Sequence, residues 1–140
     1  ALLVDFVEQA AHGDHTPMEI MEMYSRFFYR LMKEHPYILR IFSWEMIHPT
    51  DVFASIGKER FAMVLVVLRG ALTEGIEEGC FRKDLKPTEV CISWAGMVAY
   101  YYLMNEIKKR FSVKEEITED SYMHQAFDVL MNGIKNKEIG

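Results

Sequence analysis

The strongest constraint on the fold is an uncharged run of 15 residues, Val90–Met104. It follows Pro87, which suits the first turn of a helix, and it leads into the basic residues 108–110, which suit a helix C-terminus. A membrane span needs about 20 apolar residues, so the run is too short to be one. Because it is apolar around its whole circumference, we expect a helix buried on two sides, against its own domain and against a second chain.

Helical spacing divides this run into two faces. One face has small residues at its centre, which let another backbone approach closely; it comprises Ile92, Gly96, Ala99 and Leu103. The other face is bulky and suited to packing inward; it comprises Trp94, Val98 and Tyr101. Small-centred faces also occur inside monomer cores, but the pattern favours a dimer contact.

The composition is that of one globular domain, with 140 residues, 50% hydrophobic and 26% charged. The net charge of −5 is spread along the chain and provides no basic patch for nucleic acid or for a membrane surface. Cys80 and Cys91 lack metal-ligand spacing, and two free thiols in a reducing cytosol are the simplest interpretation. No secretory signal opens the sequence. We expect a cytoplasmic protein without membrane contact, in keeping with the two free thiols and the lack of a basic patch.

Capping and breaking signals predict an all-α bundle of about six helices. The second helix begins with a capping box, Thr16-Pro17-Met18-Glu19. The helical pattern is interrupted at His35-Pro36 and again at His48-Pro49. The fourth helix is capped by Thr50 or Asp51. The stretch 61–68 resembles a strand, but charged residues at helical intervals on both sides favour a helix. The predicted helices span residues 1–11, 17–34, 37–47, 52–78, 87–109 and 118–135, with a polar link from Arg110 to Ile117.

The last helix repeats the design of two faces. Its small-centred face comprises Tyr122, Ala126, Val129 and Gly133. Its bulky face comprises Met123, Phe127, Leu130 and Ile134. In a symmetric dimer one patch serves both subunits, so these two terminal helices predict a four-helix interface in a homodimer.

Two short motifs add a family resemblance. One motif precedes the apolar helix and reads Gly79-Cys-Phe-Arg-Lys-Asp-Leu-Lys-Pro87. The other ends the last helix and reads Leu130-Met-Asn-Gly-Ile134. Together they resemble the regulatory half of TetR-family transcriptional regulators. In that family a Gly-x-hydrophobic loop and an Asp-Leu-x-Pro turn precede the first of two dimerisation helices, and a Leu-x-x-Gly-hydrophobic pattern ends the second. The chain departs from the family at Lys86, where a capping Asp is common.

The resemblance implies that residues 1–140 form a ligand-sensing and dimerisation domain of a regulator such as a repressor. Residues 1–11 would then end the helix that connects it to an N-terminal helix-turn-helix domain absent from this chain. DNA binding would belong to that absent domain. A helical-bundle protein that binds small molecules without a transcriptional role is the alternative.

The ten Met, nine Phe, seven Tyr and two Trp are consistent with a Met-rich core and dimer contact or with a ligand cavity. The resemblance favours a cavity for a small hydrophobic or aromatic effector. Its predicted wall comprises Phe28, Met32, Trp44, Val64, Leu68, Trp94, Val98 and Tyr101. Glu45 and Arg60 are the charged residues nearest to this set in the sequence.

No motif predicts catalysis, a cofactor or a metal. Glu45-Met-Ile-His48 has the spacing of a di-iron bundle, but the second such motif that these sites need is missing, so an enzyme of that type is a remote alternative. His12 and His15 flank a glycine, and we expect solvated side chains. The sequence contains no nucleophile elbow, phosphate loop or dinucleotide fingerprint.

Overall fold

The computed structural model describes residues 2–111 and 117–137. These residues form six α-helices, which confirms the all-α prediction, and the stretch 61–68 is helical. The helices are α1 (Leu2–His12), α2 (Pro17–Glu34), α3 (Tyr37–Ile47), α4 (Asp51–Glu77), α5 (Pro87–Phe111) and α6 (Glu119–Ile134). Helix α5 extends slightly beyond its predicted end, and residues 112–116 of the predicted polar link lie outside the described residues.

The predicted caps form at two helix starts. The Thr16 hydroxyl accepts the Glu19 N–H at 3.2 Å, and the Glu19 carboxylate accepts the Thr16 N–H at 3.3 Å, so the capping box is confirmed. At α6 the Thr118 hydroxyl accepts the Ser121 N–H at 3.2 Å. These bonds satisfy N–H groups that have no partner inside the helix.

The core lies where α2, α4 and α5 meet, with α1 packed against α2 and α4 and with α6 packed against α5. Among the described residues, no polar or charged residue is buried. Two of the three residues of the bulky face of α5 turn inward, since Trp94 and Val98 are each 1% exposed, whereas Tyr101 is half-buried. The largest fully buried side chains are Trp94, Phe81, Met21, Leu68, Leu72 and Val98.

The loop between α4 and α5 holds the end of α6 in place. Gly79 has a φ of 83°, a left-handed conformation that glycine adopts without strain and that commonly ends a helix. The Arg82 N–H then donates to the Ile134 carbonyl at 2.9 Å, and Phe81 forms an antiparallel bridge with Lys135.

The Arg82 side chain completes this contact. Its Nη1 donates to the Gly133 carbonyl at 2.9 Å, and the same guanidinium binds both carboxylate oxygens of Asp84 at 3.0 and 2.8 Å. A cation suits the carbonyl end of a helix. The two motifs that suggested the family resemblance therefore contact each other in the fold.

No helix in the described part of the chain is both long enough and apolar enough to cross a lipid bilayer.

Candidate ligand-binding and dimerisation surfaces

The predicted small-centred face of α5 is open in the single chain. Ile92 is 66% exposed and Leu103 40%, while Ala99 is half-buried. A β-carbon added at the exposed Gly96 would meet no atom within 4 Å. The chain itself leaves room above this face for another backbone.

The corresponding face of α6 is open only in part. Val129 is 51% exposed, and a β-carbon on the exposed Gly133 would meet no atom within 4 Å. Tyr122 is half-buried and donates its hydroxyl to the Met97 carbonyl at 2.6 Å. Ala126 is buried within its own chain at 4% exposure, which corrects its predicted place between chains. The reason is the rotation of α6, which turns Ala126 towards the core together with Leu130 and Ile134.

A groove of about 410 Å³ lies between the start of α5 and the end of α6. Val129 and Gly133, two residues of the predicted dimer face of α6, line this groove. The predicted dimer face of α6 is therefore concave at these two residues. The α5 side of the groove was not predicted, although its residues Val90, Ser93 and Met97 follow helical spacing. The groove is lined by Asp84, Leu85, Lys86, Glu89, Val90, Ser93, Met97, Val129, Leu130, Gly133 and Ile134.

Six of the eight predicted pocket residues share the core. Four of them are buried in one cluster, Met32, Leu68, Trp94 and Val98. Phe28 and Val64 are partly buried and pack against that cluster. The structure thus brings together side chains from α2, α4 and α5 in one packed core.

The other two predicted pocket residues lie elsewhere. Trp44 is 62% exposed and stacks on His48 with ring centroids 4.4 Å apart. It faces outward because α3 packs against the core through Ile38, which leaves the opposite side of α3 exposed. Tyr101 is half-buried, and its ring lies 4.9 Å from that of Tyr122 in α6. Neither is placed with the six residues of the core.

The candidate charged residues have other surroundings. Glu45 accepts both the backbone N–H and the hydroxyl of Thr50 at 2.8 Å, so it fixes the turn before α4 and occupies the hydroxyl of the predicted cap. Arg60 is exposed. Within residues 2–111 and 117–137, no group of three or more His, Cys, Asp or Glu residues is placed to hold a metal ion.

His12 and His15 line a second groove, of about 470 Å³, together with Gln9, Gly13 and Met23. The His15 ring lies against Gly13, where a β-carbon would be 2.3 Å from Nε2. His15 Nδ1 also lies 3.3 Å from the Glu19 carboxylate. His15 is therefore half-buried and held in place, and it is less solvated than predicted.

The Trp94 indole nitrogen is the most unusual polar atom of the core. It is fully buried, and no hydrogen-bond acceptor among the described residues reaches it. A buried donor left unpaired costs about 1–3 kcal/mol. Its ring lies 6.3 Å from that of Phe127, edge to face. The indole N–H is thus an unpaired buried donor with respect to the described residues.

The comparison with protein families settles the family of this helical arrangement. The family described as "Tetracyclin repressor-like, C-terminal domain" matches residues 17–136, from the first residue of α2 to just beyond the end of α6. The chain belongs to this family. No curated protein and no solved structure matches the chain. In transcriptional regulators, TetR-like C-terminal domains generally bind ligands and form dimers. Regulators of this family are generally not enzymes.

In this TetR-like domain, tyrosine hydroxyls fix the start of α6, a feature that the sequence analysis missed because phenols resemble core aromatics in an apolar pattern. The Tyr102 hydroxyl donates to Glu119 at 2.6 Å, and the Tyr29 hydroxyl donates to Asp120 at 2.5 Å. The bond to Asp120 is the main cause that raises the pKa of Tyr29 to about 12. Burial, followed by the bond to Glu119, raises the pKa of Tyr102 further above its ordinary value. Helix α6 is thereby tied to both α2 and α5.

Proposed function

We propose that this chain is the effector-binding and dimerisation domain of a TetR-like transcriptional regulator. A small hydrophobic or aromatic effector would bind among α2, α4 and α5 and change DNA binding by an N-terminal domain outside this chain, with α1 as the end of the connecting helix. The observation that carries the proposal is the open, glycine-containing face of α5 and α6.

The dimer part of the proposal rests on exposure and symmetry. Ile92, Leu103 and Val129 expose apolar surface on two adjacent helices, and Gly96 and Gly133 leave space between them. Large contiguous apolar patches on a monomer usually mark an interaction site. An obligate homodimer buries about 2,000 Å² or more, which two helices from each subunit can supply when one patch serves both.

The effector part of the proposal rests on the composition of the core. Seven methionines belong to the core cluster or pack against it, namely Met18, Met21, Met23, Met32, Met97, Met123 and Met131. Methionine is unbranched and adopts many shapes, so such a core can rearrange around a guest molecule. An effector that binds one of two dimer arrangements more tightly would increase the population of that arrangement. The size of the shift is set by the ratio of its two affinities.

Indole fluorescence tests whether the core accepts an apolar guest. Trp94 is buried and Trp44 is exposed, so the variant Trp44→Phe leaves one reporter in the core. Bromobenzene quenches an indole on contact, and we expect saturable quenching of Trp94 in this variant. The matched variant Trp94→Phe retains only Trp44, whose quenching should rise linearly with the bromobenzene concentration. Linear quenching in both variants would contradict an effector site in the core.

A second test separates the regulator from a small-molecule-binding bundle without a transcriptional role. We expect the gene to encode a helix-turn-helix segment immediately before residue 1. A protein that includes that segment should bind operator DNA as a dimer, and the present chain alone, with a net charge of −5, should not. A preceding sequence without such a segment would favour the bundle.

A further inference from the structure

We propose that the effector is an uncharged molecule with an apolar body and one hydrogen-bond acceptor, such as a carbonyl or ether oxygen, and that this acceptor receives the N–H of Trp94. This inference rests on the proposed function, because it describes the ligand of the same site.

The requirement for an acceptor comes from the Trp94 side chain. It is 1% exposed, and its Nε1 reaches no acceptor among the residues that the structure describes. An indole nitrogen can only donate, so a neighbouring donor cannot satisfy it. A phenylalanine would fill this part of the core without leaving a donor unpaired, and so the indole gains from a partner that a guest molecule supplies.

The requirement for a neutral ligand comes from the surrounding side chains. Among the described residues no charged side chain is buried, so a carboxylate or an ammonium group beside Trp94 would find no buried counter-ion. Transfer of an unpaired charge into such surroundings is strongly unfavourable. A ketone, ester or ether avoids this cost and still offers a lone pair to the indole.

Space for the guest comes from the flexible side chains of the same core. Met21, Met32 and Met131 belong to the buried cluster that contains Trp94. Several rotatable bonds let a methionine side chain withdraw without moving its backbone. A ligand that stabilises such an opened arrangement makes a minor conformation dominant.

Two isosteric probes test the inference. Acetophenone has a carbonyl group, and α-methylstyrene has a carbon–carbon double bond at the same position. The ¹⁵N-labelled chain shows two indole N–H resonances, which Trp44→Phe assigns. We expect acetophenone to move the Trp94 indole proton saturably downfield and to bind roughly tenfold more tightly than α-methylstyrene, the ratio that one buried hydrogen bond provides. The exposed Trp44 indole is the internal reference.

The variant Trp94→Phe should bind both probes with equal affinity, and its thermal unfolding shows whether it remains folded. The comparison of the two probes on the wild-type chain needs no variant. Equal affinities with an unmoved Trp94 resonance would overturn the inference and leave an apolar effector site intact. A failure of both probes to bind would overturn the inference and the proposed effector site together. A nuclear Overhauser contact between the Trp94 indole proton and a bound water that persists with acetophenone would also overturn the inference.

Discussion

Gly75 lies so close to the ring of Phe81 that a β-carbon on residue 75 would be 2.2 Å from Cδ2. The Phe81 N–H also donates to the Gly75 carbonyl at 3.0 Å, and the Phe81 side chain is fully buried. The chain after α4 therefore folds back on the last turns of that helix. From there Arg82 reaches the carbonyl end of α6. A glycine inside α4 thus helps to set the position of a predicted dimer helix.

Replacement of this glycine should destabilise the fold. We expect Gly75→Ala to lower the free energy of unfolding by about 1–3 kcal/mol, because the buried Phe81 ring must move to admit the methyl group. Gly70→Ala is the matched control in the same helix, where a β-carbon meets no atom within 4 Å. The control should stabilise by about 1 kcal/mol, since alanine favours helix over glycine. Urea unfolding of both variants measures the contrast, and equal shifts would refute this account of Gly75.

The ion pair of Arg82 and Asp84 predicts a loss of stability in acid. The side-chain bond to Arg82 is the main cause that holds the pKa of Asp84 below its ordinary value of 3.8. A lowered folded pKa gives stability that is present above pH 3.8 and is lost as the pH falls through the folded value. Both groups are exposed, so the effect should be small and weaker in high salt.

The variant Asp84→Asn should lack this acid-sensitive part of the stability. Unfolding of the two proteins at low ionic strength, measured from pH 5 to about pH 2, provides the comparison. Identical pH profiles for the wild type and the variant would show that the bond to Arg82 does not lower the pKa of Asp84 in solution.

The tyrosine bonds at the start of α6 predict a loss of stability in alkali. Burial and Glu119 raise the pKa of Tyr102 above its ordinary value of 10.0. A raised pKa gives stability that is fully present below pH 10.0 and is lost as the pH rises through the folded value. Tyr102→Phe should remove the part of this alkaline dependence that comes from Tyr102 and leave the part that comes from Tyr29. It should also lower stability at neutral pH by about 1 kcal/mol, the contribution of one hydrogen bond.

Phenolate absorbance during an alkaline titration measures these ionisations directly. We expect Glu119→Gln to lower the pKa of Tyr102 clearly and that of Tyr29 only slightly, because the bond to Asp120 is the main cause of the raised Tyr29 pKa and the Glu119 charge is a weaker one. A titration that is the same in the wild type and in Glu119→Gln would show that the Tyr102 bond is absent in solution.

The helices could be predicted from the sequence because their ends carry local signals. Thr16, Pro36 and Thr118 act within a few residues, through side-chain caps or through a fixed φ angle, and all six helices lie close to their predicted spans. No contact distant in the sequence is needed to specify them.

The rotation of the helices could not be predicted in the same way. Helix α6 has apolar residues on two neighbouring faces, so periodicity alone cannot show that Ala126 turns inward and Val129 outward. Helix α3 is apolar on most sides, which made Trp44 resemble a core residue although it is 62% exposed. The Trp94 N–H was recognisable as a polar group in the sequence, but its lack of a partner depends on residues from other helices.

Sedimentation velocity at micromolar concentration tests the proposed dimer most directly. A β-carbon at position 96 would meet no atom within 4 Å, so we expect the effect of Gly96→Leu on assembly to come from contact with a second chain. Gly70→Leu is the matched control on another helix, since a β-carbon at position 70 likewise meets no atom within 4 Å. We predict a dimer for the wild type and for Gly70→Leu, and a folded monomer for Gly96→Leu. A monomeric wild type, or a Gly96→Leu variant that sediments as the same dimer as its control, would contradict the proposal that the open face of α5 and α6 joins two subunits.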